Sequence, residues 1–474
     1  MSLAEGIGKL RTGFSRTFWV ANTIELFERF AYYGSKAVLA VYVAEQVGLG
    51  PEKAGWLVGS LFNTLLYFLP LLAGTVVDRY GFKRSLTACF AIFTLGYFLI
   101  GLAGIPEARP LVDAVGAVPF MIMALVVTAL GGSLIKPSIV GTVARTTTPG
   151  TKSLGYSIYY MLVNIGGAVG PFLAVPVREN IGIAYVLVMS SAVSFLLVLA
   201  TLVFFREPPR PADAPPPKPL GAIVKDMLLV FGNVRFIGFL VIFSGFWVMF
   251  WQIFYSMPFY IRDVLRFERF EILETVDAWT IILVTVAATA LAKRLRPMVA
   301  MTLGFALASA SWFLMAEMPE GPAMVLAWPV LAVMNGALWL LGAAGLPVST
   351  IEVTGAIGPA AFALIVFALG ESIQAPRYYE YVADLAPKEQ VGTYMGFAFL
   401  PIAIGTFFAG LISGPLVEHY IGRESGGVFL PGPGAAAPHA MWYWVGLIGV
   451  VSTVLMILYD RLLVRRRAGG GRGG

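Results

Sequence analysis

The chain reads as an all-α polytopic membrane protein, with twelve transmembrane helices in two six-helix bundles. Three observations predict this. Hydrophobic residues make up 58% of the 474 positions and charged residues 13%, with a mean hydropathy of +0.80, far from the balance of a soluble domain. Apolar windows long enough to cross a hydrocarbon core of about 30 Å follow one another from Phe18 to Leu463. A proline-rich break, REPPRPADAPPPKPLG at 206–221, then separates six windows from the remainder, because its prolines remove backbone donors and favour an extended, solvated linker.

The elements follow in order. Lys9, Arg11 and Arg16 precede an apolar stretch too long for the core of a signal peptide, so an uncleaved first span is expected. Spans are placed at 17–47, 54–77, 85–105, 118–143, 153–177 and 182–205, giving an N-terminal bundle over 1–205. The segment 206–236 reads as a cytoplasmic linker whose second half, AIVKDMLLVFGNVRF, forms an interfacial helix. Spans at 237–261, 276–292, 298–316, 360–379, 392–416 and 441–463 make the C-terminal bundle of 237–474, which ends in the flexible tail GGGRGG. Arg79, Lys83 and Arg84, Arg145 and Lys152, 206–225, Lys293, Arg294 and Arg296, Lys388, and Arg465 to Arg467 all fall on one side of this arrangement. Positive charge marks that side, and both termini, as cytoplasmic in a plasma (inner) membrane.

One apolar piece exceeds the count. AMVLAWPVLAVMNGALWLLGAAGLP, 323–347, is long enough to span, yet the loop after it carries no Lys or Arg. Asn335-Gly336 is a turn signal at its middle, so a re-entrant or externally lying helical hairpin is expected, with its backbone covered by protein.

Several functions are disfavoured by the same residues. The net charge of +6 is spread over short loops and forms no continuous basic face for nucleic acid. Cys89 is the only cysteine and makes no internal disulfide, while His419 and His439 fall in an expected external loop, so neither a metal site nor any other cofactor is expected in the membrane. No nucleophile and base pair or nucleotide motif occurs in the loops, and catalysis is not expected.

The decapeptide ELFERFAYYG, 25–34, places charge where hydrocarbon should be. On a helix turning about 100° per residue, Glu25, Glu28, Arg29, Tyr32, Tyr33 and Lys36 share a sector of about 140°. Each membrane-embedded charge costs about 3 kcal/mol even on the forgiving insertion scale, so this face must look into protein or a water-filled cavity. The plain alternative is an ion-pair network that only joins helices.

ExxERFxYYG, carried here by Glu25, Glu28, Arg29, Phe30, Tyr32, Tyr33 and Gly34, resembles the signature of the proton-dependent oligopeptide transporter family within the major facilitator superfamily. Four further stretches resemble that family in its order: GTVVDRYGFKR at 74–84, GGSLIKP with Lys136, YSIYYMLVNIGG with Asn164, and GESIQAP followed by LAPKEQVGTYMG at 370–396. The resemblance covers nearly the whole chain and implies the superfamily fold, with a midplane cavity lined by spans 1, 4, 5, 7, 8 and 10.

It also implies roles. Glu25, Glu28, Arg29 and Lys136 would form a proton-linked switch, in which protonating a carboxylate frees a cation for a substrate carboxylate. Tyr33, Lys36, Lys136, Asn164, Trp251, Gln252, Asp277 and Glu371 would meet the substrate, with Glu371 holding its amino group. Lys36 stands where the family has arginine, turning a bidentate clamp into a point charge. Trp251 stands in place of a seventh-span carboxylate, and Asp277 in place of an eighth-span asparagine, either lining the cavity or sitting at the external interface. Lys136 precedes Pro137, which permits a bend beside the charge. Asp78 and Arg79 would gate: Asp78 as part of a basic cytoplasmic turn or docked on a facing helix N-terminus, with Gly74 allowing close approach.

The function so implied is proton-coupled import of small zwitterions, di- or tripeptides first, with protons as the coupling ion, the lipid bilayer as surroundings and a peptide-like molecule as partner. Two rivals stay open: a proton-driven exporter of amphipathic compounds, and a non-transporting receptor or assembly subunit.

Overall fold

Helix breaks fall where glycine or proline interrupts the apolar runs. The structure, a computed structural model, describes residues 13–465 apart from 149, 211–218, 347, 349, 352–353, 388–390 and 426–427. Lys9, Arg11, most of the proline-rich linker, Lys388, Arg466, Arg467 and the glycine tail lie outside the described residues. The helices are α1 (Arg16–Val41, continued by a π-helical turn Tyr42–Gln46), α2 (Gly50–Phe68), α3 (Pro70–Tyr80), α4 (Phe82–Leu102), α5 (Ala117–Thr146), α6 (Leu154–Asn180) and α7 (Ile183–Phe204). They continue as α8 (Leu220–Phe231), α9 (Val234–Val264), α10 (Phe270–Ala292), α11 (Pro297–Glu317), α12 (Glu320–Ala343), α13 (Gly355–Leu385), α14 (Tyr394–Tyr420) and α15 (Pro438–Val464). A two-stranded antiparallel hairpin, β1 (Gly422–Ser425) and β2 (Val428–Pro431), joins α14 to α15, pairing Gly422 with Pro431. His419 lies in the last turn of α14.

Every expected span is present as helix. Among the described residues, eleven helices are long and apolar enough to cross a membrane, and α2 with α3 makes one further span bent by 41° where Pro70 interrupts the backbone ladder. α1 has the length but carries the charged decapeptide.

By contacts the chain forms two compact units, 1–36 with 65–224, and 37–64 with 225–474. In the first, α4 packs on α5 and α7. Several of its buried hydroxyls bond to backbone carbonyls: Thr128 donates to the Ala124 carbonyl of its own helix at 2.7 Å, Ser190 to Ala31 on α1 at 3.0 Å, and Ser191 to Thr94 on α4 at 2.7 Å.

In the second unit, residues 37–64 seat on α14 through paired small residues. A methyl group on Gly59 would lie 2.5 Å from the Gly410 Cα, and one on Gly55 would lie 2.6 Å from the Gly410 carbonyl. Gly55 and Gly59, four apart, therefore let the backbones touch. Beside this contact the Asn63 amide donates to the Tyr255 hydroxyl at 2.7 Å, which lies 2.6 Å from Thr406 Oγ1. Further along, Arg262 on α9 holds both carboxylate oxygens of Glu45. The core is aromatic: Phe243 stacks on Tyr378 at 3.9 Å, and Trp312 on Trp442 at 5.0 Å.

The expected turn at Asn335-Gly336 is corrected. α12 runs unbroken from Glu320 to Ala343, and the chain reverses after it at Gly345, whose φ of 89° suits glycine. The following segment retraces the helix: Val348 lies near Gly342, Ile351 beside Asn335, and Gly355 and Gly358 return to Glu320 and Met324. Asn335 does not turn the chain because its amide is bonded elsewhere. Its Nδ2 donates to the Ile351 carbonyl at 3.2 Å and its Oδ1 accepts the Ile351 N–H at 2.8 Å. One side chain thus supplies both backbone partners of a buried, non-helical residue, as apolar surroundings require. The outer face of α12 carries exposed Val325, Trp328, Trp339 and Leu340.

Two predictions follow from packing alone. Gly59→Ala is expected to lower the melting temperature of detergent-purified protein through a clash worth about 1–3 kcal/mol, whereas Gly74→Ala, which would meet nothing within 4 Å, leaves it unchanged; fluorescence-monitored unfolding reads both. Asn335→Leu leaves the Ile351 N–H and carbonyl unpaired at about 1–3 kcal/mol per group, so hydrogen exchange at Ile351 should rise while the core helices keep their protection.

Candidate transport site

Building the site starts from the crossing of α1 and α6. A methyl on Gly166 would lie 2.3 Å from Arg29 Cβ, and one on Gly34 would lie 3.1 Å from the Gly170 carbonyl. The glycines of YYG and NIGG let the helices meet, and this meeting buries the charges of α1. Glu25 is 1% exposed, Glu28 2% and Arg29 5%. Arg29 Nη2 lies 2.5 Å from Glu28 Oε2, and its Nε lies 3.3 Å from Glu25 Oε1. The Tyr159 hydroxyl on α6 donates to Glu25 at 3.4 Å. Arg29 also sits over the Tyr32 ring at 4.8 Å, and the Tyr32 hydroxyl is 3.3 Å from that of Tyr67.

Lys136 follows the break in α5 at Ser133 and Leu134, with Pro137 in the first turn after it. The helical ladder is thus interrupted at the turn that Pro137 cannot donate to, and Lys136 lies within electrostatic reach of Glu25, Glu28 and Arg29. Lys36 is buried, its ammonium 5.3 Å from the centre of the Tyr33 ring, a cation–π contact. Asn164 donates its amide back to the Tyr160 carbonyl at 2.8 Å, which orients its oxygen but commits its donor. Glu25, Glu28, Arg29, Tyr33, Lys36, Lys136 and Asn164 all belong to the first unit, which gathers three cations and two carboxylates.

The second unit holds the other candidates. Trp251 is 1% exposed and stacks on Tyr255 at 5.5 Å. Gln252 is fully buried, donates to the Ala409 carbonyl at 3.3 Å and accepts the Ser256 hydroxyl at 2.5 Å. Gln252 thus joins α9 to α14, while the stacking of Trp251 on Tyr255 lies within α9. Asp277 is buried within α10, which packs along α13, the helix of the half-buried Glu371.

α10 begins earlier than expected. Phe270 to Thr275 is helix, and Glu271 and Glu274 are buried at 0% and 3% exposure. Their helical character was readable from Phe270, Ile272, Leu273 and Val276, which recur on one face of ERFEILETV. With Asp277 and Glu371, α10 and α13 of the second unit carry four carboxylates that are buried or half-buried.

Of the two readings of Asp78, docking on a helix N-terminus is not seen among the described residues; its carboxylate is largely exposed and lies 3.8 Å from Arg145, in keeping with a basic turn, and a methyl group on Gly74 would meet nothing within 4 Å. Arg79 lies over the Tyr80 ring at 5.7 Å. The carboxylate that does cap a helix is Glu207, from the first residues after α7: its two oxygens accept the backbone N–H groups of Phe82 and Lys83 at 2.8 and 2.7 Å. Gly81, at φ 85°, turns the chain so that these donors point outward.

The comparisons agree with this architecture. The family model described as Major Facilitator Superfamily matches residues 23–359. The dipeptide and tripeptide permease B of Edwardsiella piscicida is 30% identical over 194 residues, 40% of this chain and 36% of that protein. The permease B of Salmonella typhimurium is 29% identical over the same length and shares. The chain thus matches little more than a third of the length of these curated relatives. Among solved structures, a peptide transporter POT in complex with sulfate superposes with a TM-score of 0.69 at 17% identity, covering 95% of this chain and 94% of the other. The POT family transporter PepTSo gives 0.66 at 16%, covering 94% and 98%. At such identities the likeness is one of fold. Family model, helix order and fold together place this integral membrane protein: the chain belongs to the Major Facilitator Superfamily.

Proposed function

We propose that the chain is a divergent proton-dependent oligopeptide transporter, a symporter that imports small zwitterions, di- or tripeptides first, by alternating access. The observation that carries this is the buried Glu25–Arg29–Glu28 cluster with Lys136 in electrostatic reach. Two carboxylates and one guanidinium leave one negative charge, which Lys136 balances. Protonating one carboxylate then leaves a cation in excess, and a substrate carboxylate is the natural partner for it. Lys36 and Lys136 take that carboxylate as point charges. Glu371, on the acid-rich second unit, takes the ammonium. Basic loops put both termini in the cytoplasm of a plasma (inner) membrane, and protons are the only coupling ion invoked.

A proton-driven exporter of amphipathic compounds would use the aromatic residues of α9 as its cargo surface. Trp251 and Tyr255 are buried here, so no observation favours that rival over import.

Reconstituted into liposomes, the protein is expected to accumulate Ala-Ala when the interior is alkaline. Glu28→Gln should abolish gradient-driven accumulation while leaving exchange of labelled for unlabelled peptide, because the switch stays in its protonated form. Uptake indifferent to the gradient, or accumulation that survives the substitution, contradicts the proposal. Peptide binding without any movement across the membrane would favour a receptor.

A further inference from the structure

The β1–β2 hairpin is the one piece of sheet among the described residues, and it sits at an end of the second unit. Arg296 lies 3.8 Å from Asp460 near the end of α15, so the start of α15 and the hairpin before it belong to the opposite end. The hairpin is clamped at its base. The Gly434 N–H donates to the His419 carbonyl at 2.8 Å, and a methyl group on Gly432 would collide with the Glu418 and His419 carbonyls. The returning strand is thereby fixed on the last turn of α14.

Successive side chains of a strand point to opposite faces. The register pairs Arg423 with Leu430 and Glu424 with Phe429, which puts Arg423, Val428 and Leu430 on one face and Glu424, Phe429 and Pro431 on the other. Phe429 and Pro431 line a cavity together with Asp263 and Val264 at the end of α9, so their face looks toward α9. The face of Arg423, Val428 and Leu430 looks away from it. Val428 is 59% exposed and Leu430 45%, and a fixed apolar patch of this kind calls for a covering surface.

What lies on that side is indicated by α15. Its exposed residues Trp444, Leu447, Val451, Leu455 and Leu458 recur at spacings of three and four and are all apolar, as expected of the stripe that a spanning helix turns to hydrocarbon. Trp444 heads this stripe, and its Nε1 donates to the hydroxyl of Tyr420, two residues before β1, at 2.8 Å. An indole and a phenol joined at the head of a lipid-facing stripe mark the boundary between acyl chains and headgroups. The hairpin springs from that level. Arg423 supplies the matching polar group: its largely exposed guanidinium lies 3.7 Å from Glu418 through one nitrogen, an exposed pairing of little weight that leaves the rest of the fork for an anionic oxygen.

We propose that the hairpin docks on the bilayer surface at this end of the molecule, with Val428 and Leu430 entering the leaflet below the headgroups and Arg423 meeting a phospholipid phosphate. The surface so formed continues the lipid-facing stripe of α15 beyond its first turn. It depends on the chain spanning the membrane and is independent of the transport reading.

The test uses the full chain in phosphatidylcholine vesicles with an environment-sensitive maleimide fluorophore. Cys89 is buried, so a cysteine introduced in the hairpin is labelled selectively. With Leu430→Cys the emission is expected to shift to the blue, to be quenched by lipid carrying a nitroxide high on its acyl chain, and to ignore iodide. With Glu424→Cys, on the other face, iodide should quench and the nitroxide lipid should not. Adding Arg423→Gln to the Leu430→Cys chain should weaken the lipid quenching, and Arg423→Lys should retain most of it. Iodide quenching at position 430, equal lipid quenching at 430 and 424, or lipid quenching unmoved by Arg423→Gln overturns the proposal. Quenching between labelled copies in place of quenching by lipid would assign the face to a second copy of the chain and overturn it as well.

Discussion

Arg29 is the group on which the polar interior of the first unit depends. It pairs with both Glu28 and Glu25 from within a single helix, one and four residues away, so α1 itself reduces its buried charge to a single net negative one. Pairing alone is not enough, because the hydrogen-bonding capacity of a buried charge must also be used. Gly166 brings α6 against Arg29, and Tyr159 on that helix reaches Glu25. A residue larger than glycine at that crossing would hold α6 away and leave the cluster open.

A similar requirement recurs at several other places, and at each of the following it is met by well-placed side chains. Asn335 stands in for a neighbouring strand beside Ile351. Glu207 stands in for the missing first turn of α4. Asn63, Tyr255 and Thr406 join α2, α9 and α14 through hydroxyl and amide groups in place of apolar contact. In a medium without water, each unmet group costs several kcal/mol. These few residues therefore hold non-helical or polar segments that apolar packing could not keep.

This also explains which parts of the molecule were legible in the sequence. Helix positions depend on local hydrophobicity, and all twelve expected spans formed. The decapeptide of α1 was legible because its charges share one helical face and its motif is specific. Asn335-Gly336 misled because turn preference is local, while the partner that overrides it lies sixteen residues on. Glu271 and Glu274 sit among apolar residues that recur on one helical face, but neighbouring Arg266, Glu268 and Arg269 give the stretch a loop-like composition that masks this pattern, and their burial is a property of the packed unit. Nothing near Glu207 in REPPRP signals that its carboxylate belongs to a helix more than a hundred residues earlier. Gly59 and Gly410 show the same limit, since small residues announce close packing without naming the partner.

The compact units do not coincide with the covalent halves, and this gives α1 a particular place. Its first part, through Lys36, belongs to the unit that holds Glu25, Glu28 and Arg29. Its continuation, from Ala37 to Gln46, packs within the other unit, where Glu45 is gripped by Arg262. One continuous helix therefore carries a titratable cluster at one level and a bidentate ion pair about five turns later. Each level is closed by partners of its own unit: Tyr159 reaches Glu25 in the first, and Arg262 holds both oxygens of Glu45 in the second, where the helix ends in the π-helical turn Tyr42–Gln46.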